Sequence, residues 1–370
     1  MKVNFVDLGR QYKELKAEIM DEISLIIDKG SFMGAKCFED DFAKFNEKEF
    51  CVGVGSGTDA LILTLLAYGI GPGDQVIVPA NTYIATAFAV SHTGADPIFI
   101  DPNPNTYVID VDGIMAAVTP RTRAIIPVHL YGYPANMKDI MVFAKLNNLI
   151  VIEDCAQAAG AFCDGKRVGS WADAGCFSFY PAKNLGGLGQ GGAVVTNNPE
   201  IAKTVRELGN IGRSEGSWYE YSHVGFNSRL DAVNSKFLSV CLDSLDIWNL
   251  SRSKAALIYD LLLSKVAGVK TPPTLSENIY PVYHLYELDC GTKESRDGLE
   301  KYLKENNIGC GLHYPIPCHK QSMYAHLKYS CPVSERLSDT LISLPIHPKI
   351  TSEELLYVCD CIAMFCYEVL

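Results

Sequence analysis

The sequence predicts an α/β protein in which a largely parallel sheet is flanked by helices and followed by a smaller C-terminal α+β domain. Two observations predict this class. Between about residues 50 and 210, short apolar runs alternate with helical patterns, as in parallel strands joined by helical crossovers. Beyond residue 227 the alternation stops and longer helical patterns follow. With 370 residues, the chain is long enough for two such domains.

The first domain is predicted to begin with an amphipathic helix over residues 8–28, because apolar residues from Tyr12 to Ile26 follow helical spacing and stop at Gly30. Helices are predicted at about 82–92, 112–118 and 137–147, between the first four strands. Apolar runs predict strands at 75–78, 97–100, 124–128, 149–152, 176–179 and 193–196.

The second domain is predicted to contain a long helical stretch at about 231–265, a strand from Tyr280 to Leu288 and a helix near 294–306. We therefore expect a large α/β domain over residues 1–230 and a small α+β domain over residues 231–370. The N-terminal helix 8–28 is expected to pack on the small domain.

Composition limits the partners and the compartment. The 32 Lys and Arg residues against 43 Asp and Glu give a net charge of −11, which argues against binding of nucleic acid or an anionic membrane. No apolar run reaches the ~18 residues of a membrane span, and the start lacks a signal-peptide pattern, so we expect a cytoplasmic protein. The 13 cysteines, Cys359 and Cys361 included, are expected to be reduced and mostly buried, with no metal site.

A glycine-rich segment at residues 53–58 precedes a predicted helix. Glycines at a helix start let backbone N–H groups approach an anion, and Thr58 adds a hydroxyl next to Gly57. The segment lacks the lysine that ends a P-loop. It is either a phosphate cradle or a tight turn with an N-cap.

Asp154 follows directly on the apolar strand 149–152. A carboxylate at the end of a buried strand needs a cation or strong donors. Asp154 could hold a metal, activate a histidine, pair with a protonated heterocycle, or cap the next turn.

Lys183 stands alone in an apolar, glycine-rich stretch. Desolvation there would lower its pKa towards that of a usable amine nucleophile, and Schiff-base chemistry is the natural use of such a lysine. A phosphate cradle, a strand-end aspartate and a buried lysine are together the parts of a pyridoxal 5'-phosphate site.

Six short segments carry a family resemblance: Gly57–Leu61, Pro79–Ala87, Pro127–Gly132, Glu153–Gln157, Phe177–Asn184 and Gly225–Asp231. Their order and spacing resemble those of the DegT-type nucleotide-sugar aminotransferases, which are fold type I pyridoxal-phosphate enzymes. The resemblance covers nearly the whole chain. It implies a homodimer with shared active sites.

By this resemblance Lys183 forms the Schiff base and moves protons, and Asp154 pairs with the cofactor's ring nitrogen. Tyr83 stacks on the ring, which Gln157 also touches. The implied cofactor-binding residues are Gly57, Thr58, Tyr83, Asp154, Gln157, Ser178 and Lys183, with Asn227 reaching the phosphate from the partner subunit.

The resemblance also implies the reaction, a transfer of the amino group of L-glutamate to a keto sugar linked to a nucleotide. The segment Phe179–Gly186, followed by Gly189–Ala193, resembles the branch that aminates dTDP-linked 3-keto-6-deoxyhexoses at C3, for polysaccharides or glycosylated metabolites. Amination at C4, or a UDP- or GDP-linked sugar, is the alternative. The substrate contacts are assigned to Tyr180, Arg213, Tyr221, His313 and Tyr314.

Two other classes of function stay open at this point. A cofactor-free lysine Schiff-base enzyme would need neither the glycine cradle nor Asp154. A pyridoxal-phosphate-binding regulatory protein would keep the site without turnover.

Overall fold

The computed structural model describes residues 1–273 and 277–369, with side chains as far as Tyr367. Its centre is a seven-stranded sheet. In spatial order the strands are β1 (Phe50–Val54), β9 (Gly192–Thr196), β8 (Ala174–Ser178), β5 (Ile150–Asp154), β4 (Thr122–Ile125), β2 (Gln75–Pro79) and β3 (Asp96–Ile100). Strand β9 runs antiparallel to both its neighbours, and the other pairs are parallel.

Helices cover both faces of this sheet, so its strands are apolar on both sides. Val76, Ile77 and Val78 of β2 are all fully buried. The helices before residue 210 are α1 (Leu8–Tyr12), α2 (Lys16–Lys29), α3 (Lys36–Phe45), α4 (Gly57–Ala67), α5 (Ala85–His92), α6 (Val111–Ala117), α7 (Met137–Leu146) and α8 (Pro199–Gly209). A 3₁₀ turn lies at Leu130–Gly132, and the short strands β6 (Phe162–Cys163) and β7 (Lys166–Arg167) form a hairpin.

Helix ends coincide with capping residues. Ser56 caps α4 by accepting a hydrogen bond from the Asp59 N–H, and Asn198 caps α8 just before Pro199. Gly30 ends α2 with a positive φ of 61°, a conformation that glycine adopts without strain.

The elements after residue 230 are α9 (Ala232–Leu242), α10 (Leu245–Leu263), β10 (Ile279–Tyr280), β11 (Tyr286–Asp289), α11 (Lys293–Glu305), α12 (Pro332–Thr340), β12 (Leu341–Leu344) and α13 (Ser352–Val369), with 3₁₀ turns at Cys318–Lys320 and Ala325–Leu327. Strands β11 and β12 form a two-stranded antiparallel sheet inside a second apolar core, to which α10, α11 and α13 contribute. Helix α9 packs instead against α2 and α3, and β10 pairs with β6. In the part of the chain that is described, none of these or the earlier helices has the length and apolar character needed to cross a bilayer.

Three predicted elements are wrong in detail. The strand predicted from Tyr280 to Leu288 is two strands, β10 and β11. Between them Pro281 offers no N–H, and the backbone hydrogen bonds instead to the turn at Leu130–Gly132. The strand predicted at 124–128 ends at Ile125, before Pro127.

The helix predicted at 8–28 is broken between Tyr12 and Lys16. The break lets Arg10 of α1 donate to Glu354 of α13 at 2.9 and 3.0 Å, while α2 packs against α9. Most of the amphipathic pattern lies in α2, whereas the contact with α13 comes from α1. The domain boundary at residue 230 stays a prediction.

Candidate active site

A cavity of about 410 Å³ opens where β5 and β8 end and α4 begins. Open α/β sheets bind their ligands at this edge. The site residues predicted from the sequence that line the cavity are Gly57, Thr58, Tyr83, Asp154, Gln157, Ser178, Tyr180, Lys183, His313 and Tyr314.

The start of α4 forms one wall of the cavity. Ser56 satisfies the N–H of Asp59 at 3.0 Å, whereas the N–H groups of Gly57 and Thr58 make no hydrogen bond to any described residue. A Cβ at Gly57 would lie 2.7 Å from the Cβ of Ser178, so only glycine allows the helix start to approach the end of β8. The segment is thus an N-capped turn that also leaves two donors at the positive end of a helix, as a phosphate requires.

Asp154 ends β5 at the opposite wall and is 5% exposed. Its Oδ2 accepts from the Thr86 hydroxyl at 2.8 Å, and its Oδ1 accepts from the Ala156 N–H at 3.1 Å. Burial raises the pKa of this carboxyl group, and the two donors lower it in part. A nearby cationic ring nitrogen would complete the stabilisation of the carboxylate.

His129 does not pair with the Asp154 carboxylate. His129 bonds Glu153 at 3.1 Å, and Glu153 also accepts from the N–H groups of Gly169, Trp171 and Ala172. His129, Glu153 and Cys155 lie close enough together to hold a metal, but these bonds already use the carboxylate of Glu153. We interpret this cluster as structural.

Lys183 lies in the loop after β8 and lines the cavity. Its backbone N–H donates to the carbonyl of Tyr180 at 2.8 Å, which holds the loop in place. No carboxylate in the described part of the chain forms an ion pair with its Nζ. Burial lowers the pKa of the ammonium to about 8, against the opposing influence of the Asp154 charge. A substantial fraction of this amine is therefore neutral near physiological pH.

Aromatic and amide side chains form the rim. Gln157 accepts from the Tyr131 N–H at 2.6 Å and donates to the Tyr314 hydroxyl at 2.9 Å. The rings of Tyr83 and Tyr314 lie 5.5 Å apart, and Tyr83 is 54% exposed. An exposed aromatic ring at this place can cover a flat ligand.

Three predicted site residues lie away from this cavity. Asn227 and Tyr221 are exposed, and Arg213 lies over the Trp218 ring at 5.7 Å, in a separate cleft beside α8. The cavity formed by one chain therefore does not include them.

The structure also brings in residues that the sequence did not single out. Thr86 holds Asp154, and Ser56 caps α4. Arg252, His284 and Phe5 line the inner end of the cavity. Thr86 lies within a segment of the resemblance, but Arg252 and His284 carried no sequence signal, because nothing in the chain order links them to Lys183.

The donor set fits pyridoxal phosphate. It offers free N–H groups at a helix start for a phosphate, a buried carboxylate for a ring nitrogen, and an unpaired amine of lowered pKa for an aldehyde.

Comparison with known proteins agrees. Residues 13–363 match the DegT/DnrJ/EryC1/StrS aminotransferase family, and the chain belongs to this family. It is 42% identical over 360 residues to the UDP-N-acetyl-3-dehydro-α-D-glucosamine 3-aminotransferase of Acidithiobacillus ferrooxidans, covering 95% of each chain. It is 42% identical over 369 residues to the dTDP-3-amino-3,4,6-trideoxy-α-D-glucose transaminase of Streptomyces venezuelae, covering 98% of this chain and 95% of that one.

Solved structures lead to the same class. The structure of S. venezuelae DesV in complex with a ketimine intermediate matches with a TM-score of 0.95 at 40% identity, over 100% of both chains. Bacillus subtilis NtdA, solved with bound PMP, matches with a TM-score of 0.91 at 31% identity, over 99% of this chain and 85% of that one. PMP is the amino form of pyridoxal phosphate.

The protein is a pyridoxal-phosphate-dependent aminotransferase acting on sugar nucleotides. The predicted fold class, cofactor and enzyme class are thereby confirmed. The alternative of a cofactor-free Schiff-base enzyme is wrong.

Proposed function

We propose that the enzyme aminates a dTDP-linked 3-keto-6-deoxyhexose at C3, with L-glutamate as the amino donor. The observation that carries the chemistry is the unpaired Lys183 amine, which shares one cavity with Asp154 and the start of α4. Position 3 is supported by the names of both relatives above, which specify a 3-amino or 3-dehydro sugar. The dTDP group is supported by the S. venezuelae relative and by the segment around Lys183.

Each residue has a definite task in this proposal. When bound, pyridoxal phosphate supplies an aldehyde for the donor's amino group and a ring that accepts electrons. Asp154 holds a proton on the ring nitrogen, and Thr86 holds Asp154 in place. Lys183 attaches the cofactor and moves protons at the reacting carbon. The helix start at Gly57 and Thr58, with Ser178, holds the phosphate, and Tyr83 and Gln157 hold the ring.

The donor's carboxylate has a candidate partner in Arg252. This arginine lines the cavity, is 2% exposed, and its Nη1 donates to the carbonyls of Tyr283, His284 and Ile346. Its Nε has no partner, and no carboxylate in the described residues pairs with it. Burial lowers the pKa of Arg252 to about 10, so the cation would gain stability from an anionic ligand.

We also propose a homodimer in which Asn227 serves the site of the partner subunit. The segment of residues 211–227, the aromatic loop, is strongly exposed: Trp218 is 76%, Tyr219 is 89% and Val224 is 97% exposed. A group of exposed apolar side chains in one loop is typical of a surface that binds another protein chain. Arg213 and Tyr221 of this loop would then contact the substrate of the neighbouring site.

We also propose that the protein works in a reducing compartment, such as the cytoplasm, because of the state of its cysteines. All 13 are free in the structure, and most are buried.

A UDP-linked 2-acetamido-3-keto sugar is the second candidate substrate, because the A. ferrooxidans relative is as similar as the S. venezuelae one. In that case the cavity must accept an acetamido group at C2.

The test is a direct assay of the holoenzyme with L-glutamate and, separately, dTDP-linked 3-keto and 4-keto 6-deoxyhexoses and the UDP-linked 3-keto sugar. The 2-oxoglutarate formed is measured, and the new amine is located by NMR. We expect the highest kcat/KM for the dTDP-linked 3-keto sugar. Faster amination at C4, or preference for UDP or GDP, would overturn the finer assignment and leave the aminotransferase class unchanged.

A further inference from the structure

Behind the rim of the cavity, a carboxyl group, a hydroxyl group and an imidazole form one hydrogen-bonded chain. His313 Nδ1 lies 2.6 Å from the Ser343 hydroxyl, which lies 2.5 Å from Glu287 Oε1. Glu287 and Ser343 face each other in register across β11 and β12, and both are almost completely buried. His313 lines the cavity. The chain therefore connects a buried acid to the place where substrate binds.

Glu287 has no cation to hold it ionised. It forms no ion pair with the described residues, and its Oε2 has no hydrogen-bond partner. The titratable groups that face it are the phenols of Tyr107, Tyr131, Tyr133 and Tyr314 and the thiol of Cys290. None of these is cationic. A buried carboxyl group in such surroundings favours its protonated form, because desolvation penalises only the charged form.

The hydrogen bonds that link Glu287, Ser343 and His313 can run in either of two directions. When Glu287 is ionised, Ser343 donates to it, His313 Nδ1–H donates to Ser343, and Nε2 is left as an acceptor. When Glu287 is protonated, it donates to Ser343, Ser343 donates to Nδ1, and the imidazole proton is on Nε2. One proton separates the two states. When a proton binds at Nε2, the Nδ1 proton moves to Ser343 and the Ser343 proton moves to Glu287, so that His313 is neutral in both states.

We propose that Glu287 is a positioning residue that sets, through Ser343, whether His313 offers the sugar nucleotide a hydrogen-bond donor or an acceptor. The proposal of a sugar-nucleotide ligand rests on the function proposed above. His313 Nε2 makes no hydrogen bond to the described protein residues, which leaves it available for a ligand. A sugar keto oxygen needs a donor, and a sugar hydroxyl can use either.

The proton affinities favour this arrangement. Burial raises the pKa of Glu287 to about 8, and burial with the nearby Lys183 charge lowers the pKa of His313 to about 4. The imidazole thus stays neutral in the working range, while the carboxyl group changes state within it. Below about pH 8 Glu287 is protonated and His313 presents Nε2–H; above it His313 presents a lone pair.

The tautomer can be observed without any substrate. The holoenzyme is labelled with ¹⁵N-histidine, and the His313 signals are assigned by their loss in His313→Gln. Between pH 6 and 9.5 we expect the protonated nitrogen to change from Nε2 to Nδ1 in the wild type. In Glu287→Gln, which cannot titrate, we expect one tautomer throughout. An invariant wild-type tautomer, or the same change in Glu287→Gln, would overturn the proposal.

The consequence for substrate is measured by kinetics. We expect KM for the nucleotide sugar to change about 3- to 10-fold across pH 8 in the wild type, the usual effect of one hydrogen bond, with KM for the amino donor unchanged. Glu287→Gln should abolish this pH step. Ser343→Ala, which breaks the chain, should also abolish it. A step that persists in both variants would refute the role of Glu287.

The matched control is Glu335→Gln, because Glu335 is also hydrogen-bonded to a histidine, His319 at 3.0 Å, but lies outside the cavity. It should keep both the tautomer change and the KM step. If none of the sugar nucleotides is aminated, the proposed function fails, whereas the NMR result still decides on the Glu287 chain.

Discussion

The floor of the cavity and the aromatic loop are built in opposite ways. On the floor, Asp154 is buried and accepts two hydrogen bonds, and Gly57 is in close contact with the end of β8. In the loop of residues 211–227, Trp218 and Tyr219 extend into solvent. The floor is assembled within one chain, whereas the loop lies apart from the cavity of its own chain.

The difference indicates which of the predicted site residues can be tested within a single chain. Strand ends of one sheet bring together the residues that are predicted to bind the cofactor, so their geometry is fixed as soon as the sheet folds. The loop contains residues predicted to bind substrate, and the proposed dimer would bring them to the site of the neighbouring subunit. Changes in the floor should therefore act within one protomer, and changes in the loop should act across two.

The largest effect is expected at Lys183. Lys183→Ala removes both the amine that attaches the cofactor and the group that moves protons, so kcat should fall at least about 10,000-fold. Borohydride treatment of the wild type should leave the cofactor on the peptide that contains Lys183, as read by mass spectrometry. Labelling of another lysine would contradict the assignment.

Asp154→Asn should lower kcat by roughly 100- to 1,000-fold, because a neutral amide cannot hold a proton on the cofactor's ring nitrogen. The shape of the side chain and its bond with Thr86 are preserved, so thermal unfolding should change little. Single-turnover rates with L-glutamate alone measure the loss. A variant with normal turnover would remove Asp154 from the mechanism.

Asn227→Ala tests whether the loop acts across subunits. We expect a loss of about 10- to 100-fold, the effect of one hydrogen bond to a charged group, against no loss for the exposed Asn105→Ala. Exchange of subunits between Lys183→Ala and Asn227→Ala should restore roughly a quarter of wild-type activity, because heterodimers keep one intact site.

The control for this experiment is exchange between Lys183→Ala and Asp154→Asn. Each site takes its Lys183 and its Asp154 from the same protomer. Every site of a heterodimer therefore carries one of the two changes, and no intact site can form. Restored activity in this mixture, or a fully active monomer, would contradict the shared-site proposal.

Thr86→Val should lower kcat by about tenfold through Asp154, which loses one of its two donors. Thr93→Val is the control, since Thr93 lies near the end of the same helix and its hydroxyl bonds only the local backbone. Equal losses in the two variants would mean that Thr86 acts through the stability of α5.

The smallest expected effect is the pH dependence of Schiff-base formation at Lys183. In cofactor-free enzyme the rate of Schiff-base formation should rise about tenfold per pH unit and level off near pH 8, because below its pKa of about 8 Lys183 is protonated and has no free electron pair. Asp154→Asn should move the plateau to lower pH, since the Asp154 charge raises this pKa. A rate of Schiff-base formation that levels off only above pH 10 would show that Lys183 is not desolvated.

Much of the fold was predictable because local patterns decide it. The apolar runs predicted six of the seven strands of the central sheet within a few residues and missed β1, and the glycine-rich segment at residues 53–58 predicted the start of α4. The errors occurred where long-range contacts override local preference. The helix predicted at 8–28 breaks so that Arg10 can pair with Glu354, and the segment after Pro281 bonds a turn about 150 residues earlier.

The sequence by itself indicated Gly57, Asp154 and Lys183 as candidate site residues, because each stands at or close to the end or start of an element that local patterns define. Only the tertiary structure decided what surrounds them. Arg252 comes to the cavity from α10, and Glu287 reaches His313 through Ser343 of a neighbouring strand. Such contacts depend on how elements far apart in the sequence pack against each other, and the spacing of residues along the chain does not reveal that packing.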